Sequence, residues 1–170
     1  MDMSTKSAVS IEEYLRTSFP DLDREYVDGE IVERALPDQL HSKTQWRLDG
    51  ICWDLAKTRP LHGRPELRSR VATTRVRIPD VSIYAGSKPT EDVPTQQRPL
   101  VAIEILSPDD RHSDLMQKFE EYRAWGVPQI WLVDPRQRRL HTYENGSLHE
   151  IADLLIPEFD VRITAAEIFG

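Results

Sequence analysis

Between Val101 and Gly126 the chain changes its hydrophobic rhythm from a period of two to a period near four, which predicts a strand running into a helix. Val101, Ile103 and Ile105 alternate with Ala102, Glu104 and Leu106 along the strand. At about 100° per residue, Leu115, Phe119, Tyr122 and Trp125 then share one arc of a helix from about Ser113 to Trp125. Gly126 closes that helix as a left-handed cap, and Gln129 to Val133 reads as a buried strand. Strand, helix, strand at this spacing predicts a right-handed parallel crossover. Upstream, Ser10 followed by Glu13 forms a capping-box pattern opening a short helix that ends by Pro20, and EYVDGEIVER reads as a hairpin turning at Asp28-Gly29. Leu48, Ile51, Cys52 and Leu55 predict a helix from Gln39 to about Thr58, stopped by Pro60. Segments near Glu66 to Thr73 and Thr74 to Tyr84 look like strands. Ala85 to Pro99, broken by Pro89, Pro94 and Pro99, is long for a loop and hence mobile or functional. Downstream, Arg138 to Tyr143 and Ser147 to Ala152 form a hairpin around Asn145-Gly146, and the tail ends in a short helix at Ala165 to Phe169. The fold class is α/β, with helices flanking a mixed sheet.

Charges break this pattern at three places. Glu104 shares its strand face with Ala102 and Leu106, an apolar setting for an anion, and Lys118 falls between Tyr122 and Trp125 on the inward arc of the helix. An unpaired buried charge is costly, so the economical reading is one site reached by both, with a cation or a phosphate between them. Asp80 is the third member: it follows Pro79 on the strand face of Val76 and Ile78, where proline implies an edge or an interrupted ladder. If the strands of Asp80 and Glu104 are neighbours, the two carboxylates converge and repel. A hard divalent cation relieves that repulsion; Mg²⁺ accepts one or two carboxylates, keeps waters and bridges to phosphate oxygens, which describes a phosphodiester-cleaving centre. Lys118 would then supply positive charge to the attacking water or to the transition state.

Composition narrows the setting. A chain of 170 residues is long enough for one domain with a proper core, and residues 1–170 are read as a single domain. The single cysteine, Cys52, cannot form an internal disulfide, no apolar run approaches the roughly 18 residues of a membrane span, and MDMSTKSAVS lacks the features of a secretory signal. A soluble cytoplasmic protein is expected, with no membrane partner. Twenty-nine acidic against 22 basic residues give a net charge of −7, which argues against non-specific nucleic-acid binding. Locally, however, Arg59, Arg64, Arg68, Arg70, Arg75 and Arg77 lie in one span where Glu66 is the only acid, so a basic patch can exist on an acidic protein. Arg68, Arg70, Arg75 and Arg77 are the candidate nucleic-acid contacts; a solvated hairpin face is the plain alternative.

Proline-aspartate, about twenty residues, and then a glutamate on the next strand resembles the PD-(D/E)XK restriction-endonuclease-like superfamily. The more detailed similarity is to the Uma-two family of putative restriction endonucleases, long catalogued as a domain of unknown function. It rests on Pro79-Asp80, Glu104-Ile105-Leu106-Ser107-Pro108, Asp114, Lys118, Tyr122, Gly126-Val127 and Trp131 to Pro135. It also takes in EYVDGEIVE, His41 and the PEFDVRITAAEIF tail, nearly the whole chain. The resemblance implies an α/β/α sandwich with a mixed central sheet, Asp80 and Glu104 as metal ligands aided by the Ile105 carbonyl, Mg²⁺ or Mn²⁺ as cofactor, DNA as substrate and a homodimer. Leu106 stands where the superfamily has its strand lysine; the resemblance implies that a lysine migrated to the following helix fills the role, and Lys118 is the matching position. Glu25 matches an early family glutamate and is carried as a further acidic site residue, with His41 lining the cleft.

Plainer readings stand beside these. Asp80 can be an ordinary strand-end carboxylate, Lys118 a stem snorkelling over Tyr122 and Trp125 or an i,i+4 partner of Asp114, and His41 a satisfied core histidine. His62, His112, His141 and His149 show no metal-ligand spacing, and Ser107 and Ser113 lack a nucleophile's partners. Trp125 and Trp131 read as core, and Asp134-Pro135 as a strand end and turn. Two functions from different classes follow: a Mg²⁺-dependent endonuclease acting on DNA, and a non-catalytic module that keeps the fold and binds nucleic acid or protein. An enzyme acting on another phosphate-containing substrate is the third.

Overall fold

The computed structural model describes residues 8–88 and 94–170. The expectations about a secretory signal at residues 1–7, and about the middle of the proline-broken stretch at 89–93, lie outside the described residues. In chain order the elements are α1 (Ile11–Arg16), β1 (Glu25–Val27), β2 (Glu30–Val32), α2 (Gln39–Leu55), β3 (Leu61–Pro65), β4 (Ser69–Ala72), β5 (Arg75–Arg77), β6 (Val81–Ala85) and β7 (Val101–Ile105). There follow α3 (His112–Trp125), β8 (Gln129–Asp134), β9 (Arg139–Glu144), β10 (Ser147–Ile151), β11 (Asp153–Ile156), β12 (Val161–Thr164) and α4 (Ala165–Phe169).

The central sheet has six strands in the order β10-β9-β8-β7-β6-β3. β7 and β8 are parallel and are joined through α3, while the remaining pairs are antiparallel, so the sheet is mixed. The period of two along β7 sorts its side chains onto two layers. Val101, Ile103 and Ile105 pack with Trp131 and Val133 against Leu48 and Cys52 of α2 and Ile168 of α4. Ala102 packs with Leu132 against Leu115, Phe119 and Tyr122 of α3. Helices therefore cover both faces, the α/β/α arrangement that the resemblance implies. Gly63 lets α2 lie close on β3: a Cβ there would stand 2.5 Å from the Cys52 Cβ. Among the described residues no helix is long and apolar enough to cross a membrane.

A second sheet, ordered β2-β1-β5-β4, sits beside the first with α1 packed on it through Tyr14. Its β1–β2 hairpin turns at Asp28 and Gly29, both at positive φ, as Asp-Gly turns require. The single strand expected from Thr74 to Tyr84 is in fact two, β5 in the small sheet and β6 in the central one. Proline has no N–H to continue a ladder, and the chain changes sheets across Ile78-Pro79-Asp80. The strand expected from Glu66 to Thr73 begins only at Ser69, and β3 precedes it unpredicted. The paired strands β11 and β12 are likewise additions to the expected elements. Part of the polar stretch before β7 is anchored: Thr95 bridges Ser69, its N–H donates to Arg68 O and its carbonyl accepts from Arg70 N.

Candidate active site

The sheet change at Pro79 decides where Asp80 goes. Asp80 is the last residue before β6, and β6 pairs antiparallel with β7, so Asp80 arrives beside the end of β7 that carries Glu104 and Ile105. Its Oδ2 accepts from the Ile105 N–H at 2.7 Å and lies 3.3 Å from His41 Nε2, at the start of α2, while its Oδ1 accepts from Arg34 at 3.1 Å. Asp80, Glu104 and Glu25 are all buried. Sequence reasoning asked that the strands of Asp80 and Glu104 be neighbours, and they are.

α3 brings the ammonium. Lys118 is one turn before Tyr122 on the inward side, as the helical arc predicts. Its Nζ lies 3.0 Å from Glu104 Oε2 and 3.0 Å from Glu25 Oε1, and these rather than Asp114 are its partners. Tyr122 donates its hydroxyl to the other oxygen, Glu104 Oε1, at 2.6 Å. Glu25, at the start of β1, also accepts from the Ile78 N–H at 3.0 Å, a donor left free where the ladder stops before Pro79, and from Arg77 at 2.9 Å. Arg77 in turn donates Nε and Nη2 to Glu121 of α3. Sequence reasoning did not assign site roles to Arg34, Glu121 or Tyr122. Arg34 continues the even-numbered face of Glu30 and Val32, and Glu121 lies one turn beyond Lys118; those spacings were the available signals.

The electrostatics follow from burial and neighbours. Burial raises the Glu104 pKa, and Asp80 and Glu25 raise it further, so that despite Lys118 and Tyr122 it is pushed up to about 7. Burial acts the same way on Asp80 and Glu25, but it is outweighed: His41 and Arg34 hold Asp80 below its ordinary value, and Lys118, Arg77 and the Ile78 N–H do the same for Glu25. Lys118, which burial would discharge, is held charged by Glu104, Glu25 and Asp80, and its pKa is raised. Lys118 is shared between Glu25 and Glu104, and Glu25 and Asp80 have further partners in Arg77, His41 and Arg34, so Glu104 is the least compensated of the three. His41, also disfavoured as a cation by burial, is raised by its contact with Asp80.

These groups line a cavity of about 440 Å³ that also takes in Arg111, Asp109, Asp110 and Asp114. Its walls carry eight carboxylate residues, from Glu25 to Asp114, against Arg34, Arg77, Arg111 and Lys118. Among the described residues no three His, Cys, Asp or Glu side chains are arranged to hold a metal ion. Ile105 lies in the lining with its N–H committed to Asp80.

The four arginines expected to meet nucleic acid do not come together as one patch. Arg77 is buried in the network just described. Arg75 donates to Asp28 and Glu121, and Arg68 is paired with Asp23 and stacked 4.8 Å above the Tyr14 ring. Arg70 donates to the Thr73 carbonyl and pairs with no carboxylate among the described residues. Of these four, only Arg77 reaches the cavity.

Comparison with known proteins places the chain among others. The Uma2 family model, described as "Putative restriction endonuclease", matches residues 11–169. A crystal structure from Anabaena variabilis ATCC 29413, described as a putative nuclease belonging to DUF820, superposes with a TM-score of 0.81 at 21% identity, covering 95% of this chain and 97% of that one. At that identity the likeness establishes the fold. A DrdV–DNA complex aligns with a TM-score of 0.41 and 16% identity over 66% of this chain and 12% of that one, too slight a likeness to carry an argument. No curated protein matches.

Proposed function

The chain belongs to the Uma2 family matched above, and from that premise we propose that it hydrolyses DNA phosphodiester bonds with a divalent cation, Mg²⁺ or Mn²⁺, held by Asp80, Glu104 and the Ile105 carbonyl. The observation that carries this reading is the meeting of Asp80 and Glu104 from neighbouring strands at one end of a polar cavity, with Lys118 bound to Glu104.

The residues fit such an ion. Carboxylates are hard oxygen donors, and Asp80 Oδ1, Glu104 Oε1 and Glu104 Oε2 each accept one hydrogen bond, leaving a lone pair apiece. Two carboxylates completed by backbone and water are an ordinary Mg²⁺ set, so a third side-chain ligand is not required. When bound, the cation would polarise the phosphoryl oxygen and lower the pKa of the attacking water.

The chain's own groups would do the rest. Lys118 remains an ammonium and supplies positive charge where negative charge builds on the phosphoryl oxygens, in a setting with little water to screen it. Tyr122 fixes one oxygen of Glu104, and Glu25, itself paired with Arg77, holds Lys118 from the side of the small sheet. His41 and the Ile105 N–H orient Asp80. Arg70 is kept as an outer phosphate contact because its charge is not spent on a carboxylate among the described residues.

One observation favours the second reading, a module that binds without cleaving: the excess of carboxylates around the cavity repels a phosphodiester unless cations accompany it. Calorimetric titration of Mn²⁺ into the parent, Asp80→Ala and Glu104→Ala, followed by plasmid nicking on the same samples, separates the two. Binding and nicking by the parent, both lost in folded variants, support the nuclease. A parent that binds no metal and nicks nothing supports the module, with Lys118–Glu104 a structural ion pair.

A further inference from the structure

Two guanidinium groups sit well inside the cavity, and they are held very differently. Arg77 is saturated: its Nε and Nη2 donate to Glu121 and its Nη1 to Glu25. Arg34, whose side chain is only 10% exposed, makes one hydrogen bond among the described residues, from Nη2 to Asp80 Oδ1 at 3.1 Å, with Glu66 Oε1 a looser neighbour at 3.7 Å. Its Nη1 is buried and has no hydrogen-bond partner among the described residues. A buried donor left unmade costs about 1–3 kcal/mol, and a guanidinium attached by one prong forgoes the paired geometry in which it binds carboxylates and phosphates best.

The contact that Arg34 does make is also the one Asp80 can most readily give up. Asp80 Oδ2 is secured by Ile105 N–H and His41. Among the described residues Oδ1 has Arg34 as its only hydrogen-bond partner, so losing that bond leaves the carboxylate held through Oδ2. In the reading above, Oδ1 is also an oxygen open to a divalent cation. A cation there brings like charge against Arg34 and removes its reason to stay.

We propose that Arg34 is a substrate-binding residue that rests on Asp80 and transfers to a non-bridging oxygen pair of the DNA phosphodiester when a divalent cation takes its place on Asp80. Arg34 is thus a stand-in for the metal in the resting protein and half of a phosphate clamp in the loaded one, with Lys118 as the other half. This inference rests on the proposed metal-dependent nuclease and adds the residue that exchanges partners.

The test reads two affinities that this exchange moves in opposite directions. Mn²⁺ alone is titrated by calorimetry, and a short DNA duplex is titrated by fluorescence anisotropy with Ca²⁺ as the cation, for the parent, Arg34→Gln and Arg34→Lys. Removing a competing charge from Asp80 should make R34Q bind Mn²⁺ several-fold more tightly. Loss of one charge-assisted contact should weaken its duplex binding by about tenfold. R34K, which keeps the charge without the fork, should bind Mn²⁺ as the parent does and the duplex with intermediate affinity. A structural ion pair predicts otherwise, and the inference is overturned if R34Q weakens both affinities or leaves both unchanged. Should R34Q not fold, R34K decides: weaker duplex binding at an unchanged melting temperature supports the exchange, and parent-like duplex binding overturns it. A parent that binds no Mn²⁺ overturns the metal-dependent reading and this inference with it, whereas failure confined to the Arg34 variants leaves that reading standing.

Discussion

Glu104 has Lys118 on one oxygen and the Tyr122 hydroxyl on the other, yet its pKa stands near 7 because burial and two neighbouring carboxylates outweigh them. A carboxyl whose folded pKa lies above its unfolded value of 4.5 adds stability at low pH, and that contribution is lost as pH rises through about 7. Glutamine keeps the shape and never ionises. In the metal-free protein, Glu104→Gln should therefore melt at a higher temperature than the parent above pH 7, with the gap closing as pH falls toward 4.5; thermal melts across that range check it. A gap that widens on acidification would mean that the ionised carboxylate is a net stabiliser and that Lys118 compensates it fully. The residue scale is also where inspection of the sequence was strongest. Glu104 and Lys118 are conspicuous because each is a charge at an apolar position of a regular period, and they meet directly at 3.0 Å rather than across the cation or phosphate expected between them. Arg34 lies just past a short strand whose face already carries Glu30, and Glu121 lies beside Glu120 on a charged stretch of α3, so neither stands out as a charge at an apolar position.

Elements were legible where one period ran unbroken. β7, α3 and β8 fall within a residue or two of expectation, Gly126 caps α3 at a φ of 96°, and Asn145-Gly146 turns the β9–β10 hairpin. β3 was not legible: its five residues, LHGRP, include a glycine and a proline, and it becomes a strand by pairing along β6 and lying under α2. Tertiary context supplies what local preference lacks. Gly63 shows the dependence directly. A methyl group at that position would overlap the Cys52 side chain, and φ is not the obstacle, so the cost is one of overpacking between α2 and β3. Gly63→Ala is expected to lose about 1–3 kcal/mol of stability, measured as a lower urea midpoint with an unchanged slope; a neutral result would mean that α2 can lift from the sheet without penalty.

At the scale of the molecule, the net charge of −7 is reproduced in miniature by the cavity, and most of the arginines that looked like a basic face are consumed inside the chain. The sequence could not reveal this, since Asp23, Asp28 and Glu121, the acids that claim Arg68, Arg75 and Arg77, lie tens of residues away and arrive only through the fold. For the proposed nuclease the consequence is a strict order of events: with so few free cations of its own, the protein should bind a short DNA duplex in Ca²⁺ and release it in EDTA. Anisotropy titrations in the two buffers check this, and equal affinity in both would place DNA on a surface other than the cavity.

Lys118 lies 3.0 Å from a glutamate of each sheet, Glu25 on β1 and Glu104 on β7, so its charge is a rivet through two plates that are otherwise joined nearby by the turn at Pro79. In the proposed nuclease that rivet would also face an incoming phosphate, and it could not serve both at full strength. Whatever drew the ammonium toward that cargo would loosen its hold on Glu25 and Glu104, and with it one of the ties between the two sheets.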